Sequence, residues 1–285
     1  MTGAGEPTLE QARRWFAEEL RAIAHLSDEG VVAAFAAVPR ERFAGPGPWR
    51  IFHMNDGYWS TPDADPRRLY HNILIGLDEK RGINIGEPLL WARLFDRLGV
   101  KDGARVLQLG AGSGYYTAIL AELVGPKGSV EGIEIEAPLA EAASRNLKAW
   151  PAARVRLGDA SKPLTGTWDI IVAFAGATAP QSWWLDGLAD GGRLLLPMTA
   201  GQQWGGFMLR VERRGKRLEA RSLGRVGFYP LAGARDAEGE AALGRALMDF
   251  AGQQALRYLR RDSHDRDDSC WLHGDGWCLS KRELH

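Results

Sequence analysis

Apolar residues at the N-terminus recur at helical intervals. Leu9, Ala12, Phe16, Leu20 and Ile23 fall on one stripe, and Thr8 followed by Gln11 has the spacing of a capping box, so the chain opens with an amphipathic helix. A second short helix is expected from Asp28, with Val31, Val32 and Phe35 buried, and it stops before Pro39 because proline disfavours helical backbone in its predecessor. Residues 44–70 are rich in Gly, Pro, Asn and Asp without a sustained period, and read as an irregular connection held by aromatic anchors. In GEPLLWARLFDRLGV, Pro88 suits the first position of a helix, Leu90, Leu94, Phe95 and Leu98 form its stripe, and Gly99 suits the residue past its end.

Beyond Gly99, short apolar runs alternate with helical ones. Strands are expected at 105–109, 129–135, 154–157, 169–174 and 193–197, with helices at 115–124, 137–149 and 180–189 between them. That alternation predicts βαβ units and a parallel sheet covered on both faces. Residues 207–211 and 218–228 read as an antiparallel pair around the polar turn ERRGKR, residues 239–259 as one helix, and residues 260–281 as a charged, aromatic tail. The organisation expected is an N-terminal helical and substrate-side segment over 1–80, an α/β core over 81–233, and a C-terminal helix and tail over 234–285.

Composition narrows the function. Lys plus Arg and Asp plus Glu are 36 each among 285 residues, so there is no basic surplus to attract nucleic acid or an anionic membrane. The start MTGAGEPTLEQARRW lacks the pattern of a signal peptide, and no apolar run reaches the roughly 18 residues of a membrane span, so a cytoplasmic location is expected. Two cysteines are too few for a disulfide scaffold.

The stretch VLQLGAGSGYYTAIL runs from an expected strand through Gly110, Ala111, Gly112, Ser113 and Gly114 into an expected helix. In a doubly wound sheet this first turn is the usual floor of a ligand site. A dinucleotide fingerprint needs a third small residue where this chain has Tyr115, and no Gly-Lys-Ser/Thr of a phosphate loop follows. Such a tight turn suits a compact amino-acid end whose carboxylate meets backbone N–H groups. The next strand ends at Glu134, twenty residues beyond Gly114, where a carboxylate can accept from both ribose hydroxyls. The third ends in LGDA, placing Asp159 and Ala160 beside an adenine. Together these strand ends describe S-adenosylmethionine, the bland alternative being that Glu134 and Asp159 merely cap the helices that follow.

Several segments resemble the protein-L-isoaspartate O-methyltransferase family. VVAAFAAVPRERF (31–43) looks like its A…VPRE.F signature, LYHNILIG (69–76) its Y.D..L.IG segment, and GINIGEPLLWARL (82–94) its Q-T-I-S-Q-P turn and following helix. DIIVAFAGA (169–177), GGRLLLPM (191–198) and FYPLAG (228–233) match later segments in order, so the likeness covers 28–233. The resemblance implies a Rossmann-like α/β methyltransferase fold: a mostly parallel seven-stranded sheet with an antiparallel last strand, N-terminal helices and a C-terminal helical and aromatic extension. It also implies S-adenosylmethionine-dependent methylation of an isoaspartyl or aspartyl carboxylate in a protein or peptide, with Asn84, Ile85, Gly86 and Pro88 on the acceptor side. A carboxylate is already a nucleophile and a sulfonium already a leaving group, so alignment and exclusion of water suffice and no catalytic base is assigned.

This chain departs from the pattern on the acceptor side: the serine of the turn falls at Gly86, its threonine at Asn84, and the aspartate of Y.D at Asn72. The backbone N–H groups of the turn and the Asn84 amide are the donors left to replace that serine, and Gly86→Ser is expected to create or raise isoaspartyl activity if its hydroxyl is what was lost. Alternatives are a different carboxylate acceptor, such as an aspartate in a natural-product peptide, and a non-catalytic S-adenosylmethionine-binding protein. A NAD-dependent oxidoreductase is the alternative from another class.

Outside the resemblance, His264, Cys270, His273 and Cys278 are zinc-capable types, but C-x7-C is not a recognised zinc spacing and no C-x2-C pair occurs, so no metal is assigned. Trp271, Leu272, Trp277 and Leu279 are expected to pack the tail onto the domain. Of Trp183 and Trp184 one is expected in the core and the other in the pocket, while His53 and His71 are read as surface or satisfied residues.

Overall fold

Thr8 and Gln11 close the expected capping box: the Thr8 hydroxyl accepts from the Gln11 N–H at 3.2 Å, and the Gln11 side chain accepts from the Thr8 N–H at 2.8 Å. Helix α1 (Leu9–Ala24) follows and buries Phe16, Ala17 and Leu20, while Ile23 stays exposed at the end of the stripe. This is a computed structural model, and it describes residues 6–53, 55–201 and 205–282. Asp28 caps α2 (Glu29–Ala37) by accepting from Gly30 N–H.

The segment read as irregular folds instead into strands β1 (Arg50–His53) and β2 (Gly57–Ser60), followed by β3 (Leu74–Asp78) and β4 (Ile83–Asn84) in a small antiparallel sheet ordered β2-β1-β3-β4. Its strands are too short and too exposed to show alternation; β1 buries Ile51 and β3 buries Ile75, one residue each. Pro88 opens helix α3 (Pro88–Leu98), and Gly99, at φ +62°, ends it.

The alternating region follows in the expected order: β5 (Arg105–Leu109), α4 (Tyr115–Val124), β6 (Ser129–Glu134), α5 (Ala137–Asn146), β7 (Ala153–Leu157), β8 (Trp168–Ala173), α6 (Ser182–Asp186) and β9 (Leu188–Ala200), with α6 shorter than the helix expected at 180–189 and β9 starting before the expected 193. The antiparallel pair is β10 (Gly205–Arg214) and β11 (Arg217–Gly227). The single C-terminal helix is broken into α7 (Ala237–Ala246) and α8 (Phe250–Gln254), because the Asp249 carboxylate accepts from Gly252 N–H and starts a new helix. The tail is not merely packed on: it supplies strands β12 (Tyr258–Arg260), β13 (Cys270–Gly274) and β14 (Trp277–Ser280).

The chain divides into two compact units. One comprises residues up to Ala104 with Ala111–Gly132 and Glu136–Leu157; the other comprises Arg105–Gly110, Ile133–Ile135 and Gly158 onward. In the first, α1, α2, α3 and α4 pack together, and β7 lies beside the start of β6 through Val130 N–H donating to Ala152. In the second, β8 pairs in parallel with β5 and β9, β10 and β11 continue antiparallel, and β12, β14 and β13 extend the sheet beyond β11. This is the mixed α/β sheet expected, lengthened by the tail. Its core gathers Trp184, Leu194, Leu196, Phe207, Leu243, Trp271, Leu272 and Leu279. Trp271 meets Phe207 edge-on at 5.4 Å, and each buried leucine of the tail contributes about 2 kcal/mol.

Candidate functional site

The glycine turn is built where only glycine is unstrained. Gly110, Gly112 and Gly114 have φ of +85°, +56° and +95°, in the left-handed region that other residues enter at a cost. A side chain at Gly114 would also meet Ala143 and Leu147 at 3.3 Å, whereas nothing lies within 4 Å of a Cβ built at Gly112. Gly114 N–H donates to Ala111, and α4 starts at Tyr115. The Tyr115 side chain goes into the core, edge-on to Phe43 at 5.7 Å and Phe35 at 6.4 Å, so the residue that breaks the dinucleotide pattern anchors α4 to the VPRERF segment.

In the second unit the ends of β5 and β6 lie together. Gly110 N–H donates to Ile133 at 2.9 Å, and Gly158 N–H donates to Glu134 at 2.9 Å. The Glu134 side chain is buried. Asp159 Oδ1 accepts from both the Ser161 N–H at 2.8 Å and its hydroxyl at 2.7 Å, while Oδ2 makes no hydrogen bond among the described residues. Oδ1 thus closes a local turn onto Ser161 rather than capping a helix, since the next helix begins only at Ser182. Trp184 donates to Ala160 at 3.1 Å and Trp183 to Ser161 at 3.2 Å, so both indoles hold this turn. Trp184 is fully buried, as expected for one of the pair. Gly233, which sequence reasoning did not single out, has φ +74° and lies so close that a Cβ would reach the Ser161 hydroxyl at 2.3 Å.

On the acceptor side, in the first unit, the turn is internally satisfied. Ile85 N–H donates to Ile75 at 2.9 Å, Gly86 N–H donates to Asn84 Oδ1 at 2.8 Å, and Asn84 Nδ2 donates to Gly82 at 3.1 Å. The N–H groups of Ile85 and Gly86, expected as replacements for a serine hydroxyl, are thus already engaged. Gly86 itself has φ +89°, and a Cβ there would meet Trp91 Nε1 at 3.0 Å and Tyr116 Cε2 at 3.3 Å. A serine at this position would therefore have to enter the left-handed region and displace Trp91 and Tyr116 slightly. Tyr116, buried on α4, donates its hydroxyl to the Gly86 carbonyl at 3.2 Å.

Asn72 replaces an aspartate with purpose. Its Oδ1 accepts from Leu89 N–H at 2.9 Å at the start of α3, and its Nδ2 donates to Glu87 Oε1 at 2.8 Å. The second glutamine of the Q-T-I-S-Q-P pattern falls at Glu87, so in this chain an amide at 72 faces a carboxylate at 87. Arg40, within the VPRERF segment, is fully buried and donates to the carbonyls of Leu69 at 2.5 Å, His71 at 2.9 Å and Ile73 at 3.1 Å. It fixes the strand of chain that carries Asn72, a role the motif marked but did not explain. His53 pairs with Asp56 at the surface, and His71 is exposed.

His264, Cys270, His273 and Cys278, which sequence spacing kept apart, are brought into one cluster in the second unit. Among the described residues no helix is long and apolar enough to cross a membrane.

Comparison with known proteins places these features in one family. The profile of Protein-L-isoaspartate(D-aspartate) O-methyltransferase matches residues 12–236. A protein-L-isoaspartate O-methyltransferase of Methylorubrum populi is 40% identical over 155 residues, 53% of this chain and 70% of its own. One from Pyrobaculum islandicum is 30% identical over 223 residues, 74% of this chain and 98% of its own. A solved protein-L-isoaspartate O-methyltransferase aligns with TM-score 0.66 at 22% identity, covering 87% of this chain and 72% of that one. A Plasmodium falciparum beta-aspartate methyltransferase, crystallised with S-adenosyl-L-homocysteine, aligns with TM-score 0.60 at 19% identity over 77% of this chain and 97% of its own. The chain belongs to the protein-L-isoaspartate(D-aspartate) O-methyltransferase family.

Proposed function

We propose that this protein is an S-adenosylmethionine-dependent carboxyl O-methyltransferase that methylates isoaspartyl residues of proteins or peptides, with the residues above as its site. The observation that carries the reading is the family match over residues 12–236, which includes both the glycine turn and the acceptor-side turn. Methyltransferases of other kinds share the cofactor half alone, and the failure of the dinucleotide pattern at Tyr115 argues against a nicotinamide cofactor.

The residues present fit S-adenosylmethionine. The left-handed glycines bring backbone close to an amino-acid end, with open space over Gly112; Glu134 offers a carboxylate to ribose, and Asp159 Oδ2 an unshared acceptor to adenine. The cofactor, when bound, supplies a methyl group on a sulfonium that leaves readily. The protein's part is to hold and orient. Arg40 fixes the Asn72 segment, Asn72 caps α3, and Tyr116 ties the carbonyl of Gly86 to the helix that begins at the glycine turn. No side chain is asked to take a proton, because the attacking carboxylate carries none at neutral pH.

One observation favours a second reading, in which the acceptor is another peptide carboxylate. The turn around Gly86 has no hydroxyl, its N–H groups at 85 and 86 are engaged, and Glu87 adds a negative charge beside it. Methyl transfer to an isoaspartyl peptide, measured beside its aspartyl twin, separates the two.

A further inference from the structure

The C-terminal strands carry a constellation that methyl transfer does not use. One donor atom from each of His264, Cys270, His273 and Cys278 lies within 4.8 Å of every other. Both cysteines are buried and unbonded to each other. We propose that these four residues bind one zinc ion, a closed structural centre that pins β13 and β14 to the loop before them.

The strand register explains how ligands with no recognisable spacing come together. His273 and Cys278 are directly paired across the β13–β14 hairpin. Cys270 and His273 are three apart, which in a regular strand would put them on opposite faces. A register shift between Cys270 and Leu272 inserts one extra residue and turns Cys270 to the face of His273. The fourth ligand comes from the β12–β13 loop, where His264 Nε2 lies 3.4 Å from Cys270 Sγ. A tetrahedral zinc with bonds of about 2.3 Å to sulfur and about 2.0 Å to nitrogen separates its ligand atoms by about 3.3–3.8 Å, so the cluster needs only a slight contraction.

The surroundings are those of metal ligands. His264 Nδ1 lies 2.9 Å from the Asp262 carbonyl and 3.2 Å from its carboxylate, which places the proton on that nitrogen and leaves the Nε2 lone pair toward Cys270. Asp262 is itself held by Arg260 at 2.7 Å and 3.1 Å. Asp267 N–H points at Cys270 Sγ from 3.4 Å, as backbone donors do toward metal thiolates. His273 Nδ1 is buried with no hydrogen-bond partner among the described residues, a desolvated polar atom that calls for an explanation. Two thiolates and two neutral imidazoles cancel the charge of a divalent ion, so the centre can be buried without a counter-ion; each thiol releases its proton to solvent on binding. Four protein ligands leave no open position, which makes the centre structural rather than catalytic.

The test uses the full chain. Metal analysis of protein purified without chelator or added metal is expected to give one zinc per chain, and apoprotein loaded with cobalt(II) should show the thiolate-to-cobalt charge-transfer band and intense visible bands of a tetrahedral two-sulfur site. Cys278→Ser and His273→Ala should each lose zinc, and a folded Asp262→Ala should bind it about 10–100-fold more weakly. Metal-free protein whose apo form gives no cobalt charge transfer would overturn the proposal. So would a non-reducing mass lowered by the loss of both thiol hydrogens, which means a Cys270–Cys278 disulfide. The cobalt spectrum is read on the unmutated chain, so a variant that fails to fold does not blur the result, and none of these outcomes depends on the methyl acceptor.

Discussion

The hydroxyl of Tyr116 donates to the carbonyl of Gly86 at 3.2 Å, tying the first turn of the helix after the glycine loop to the turn on the acceptor side. Burial holds the Tyr116 phenol well above its usual range, so it remains a donor throughout the working pH of any enzyme. Tyr116→Phe keeps the ring and removes the bond. Thermal unfolding should report a loss of about 1–2 kcal/mol, and turnover should fall while the affinity for S-adenosylmethionine holds, because only the acceptor turn is released.

Gly86→Ser is expected to fail as a gain-of-function change. Its backbone lies at φ +89° and its Cβ would press on Trp91 and Tyr116, so the left-handed strain and overpacking together cost about 2–4 kcal/mol. A lowered melting temperature with no rise in isoaspartyl turnover is the expected result. Increased turnover at unchanged stability would show that the turn accommodates a hydroxyl after all.

Asn72 and Glu87 form a pair that a double-mutant cycle can read. Asn72→Asp sets a carboxylate against the Glu87 carboxylate and removes the donor that bonds it, at a cost of about 1–3 kcal/mol. Adding Glu87→Gln should restore most of the lost stability at neutral pH, because amide and carboxylate are again paired. Additive losses in the double variant would mean that the two side chains do not depend on each other.

Asp159 offers a test of the cofactor end. In Asp159→Asn the side chain keeps an oxygen for Ser161 but no longer presents a charged acceptor at the second position. Calorimetric titration should show binding of S-adenosylmethionine weakened by about 1.5–3 kcal/mol, with little change in melting temperature of the unliganded protein. Unchanged affinity would leave Asp159 only its turn bonds to Ser161.

The sequence made the alternating half of the fold legible because its signals are local and strong. Thr8 with Gln11, Pro88 with Gly99, and the apolar run into Gly110 each fix an element end by the chemistry of a few residues. The β1–β2 hairpin was hidden because its four-residue strands lie half exposed and show no period. The 239–259 segment read as one helix because periodicity cannot see the Asp249 carboxylate taking a backbone N–H and starting another. At the site, residue types alone single out the glycine turn, Glu134 and Asp159 as candidates. The φ of Gly86, the bonds inside its turn and the use of Asn72 are backbone geometry, and the four-ligand cluster of the tail rests on a register shift that no spacing rule contains.

The central claim is methyl transfer to an isoaspartyl carboxylate, and it is tested most directly by incubating the protein with labelled S-adenosylmethionine and a peptide carrying L-isoaspartate, beside the same peptide carrying L-aspartate. Base-labile labelled methyl ester on the isoaspartyl peptide alone is the result predicted. Tight binding of S-adenosylmethionine with no ester on either peptide, or ester on the aspartyl peptide alone, would contradict it.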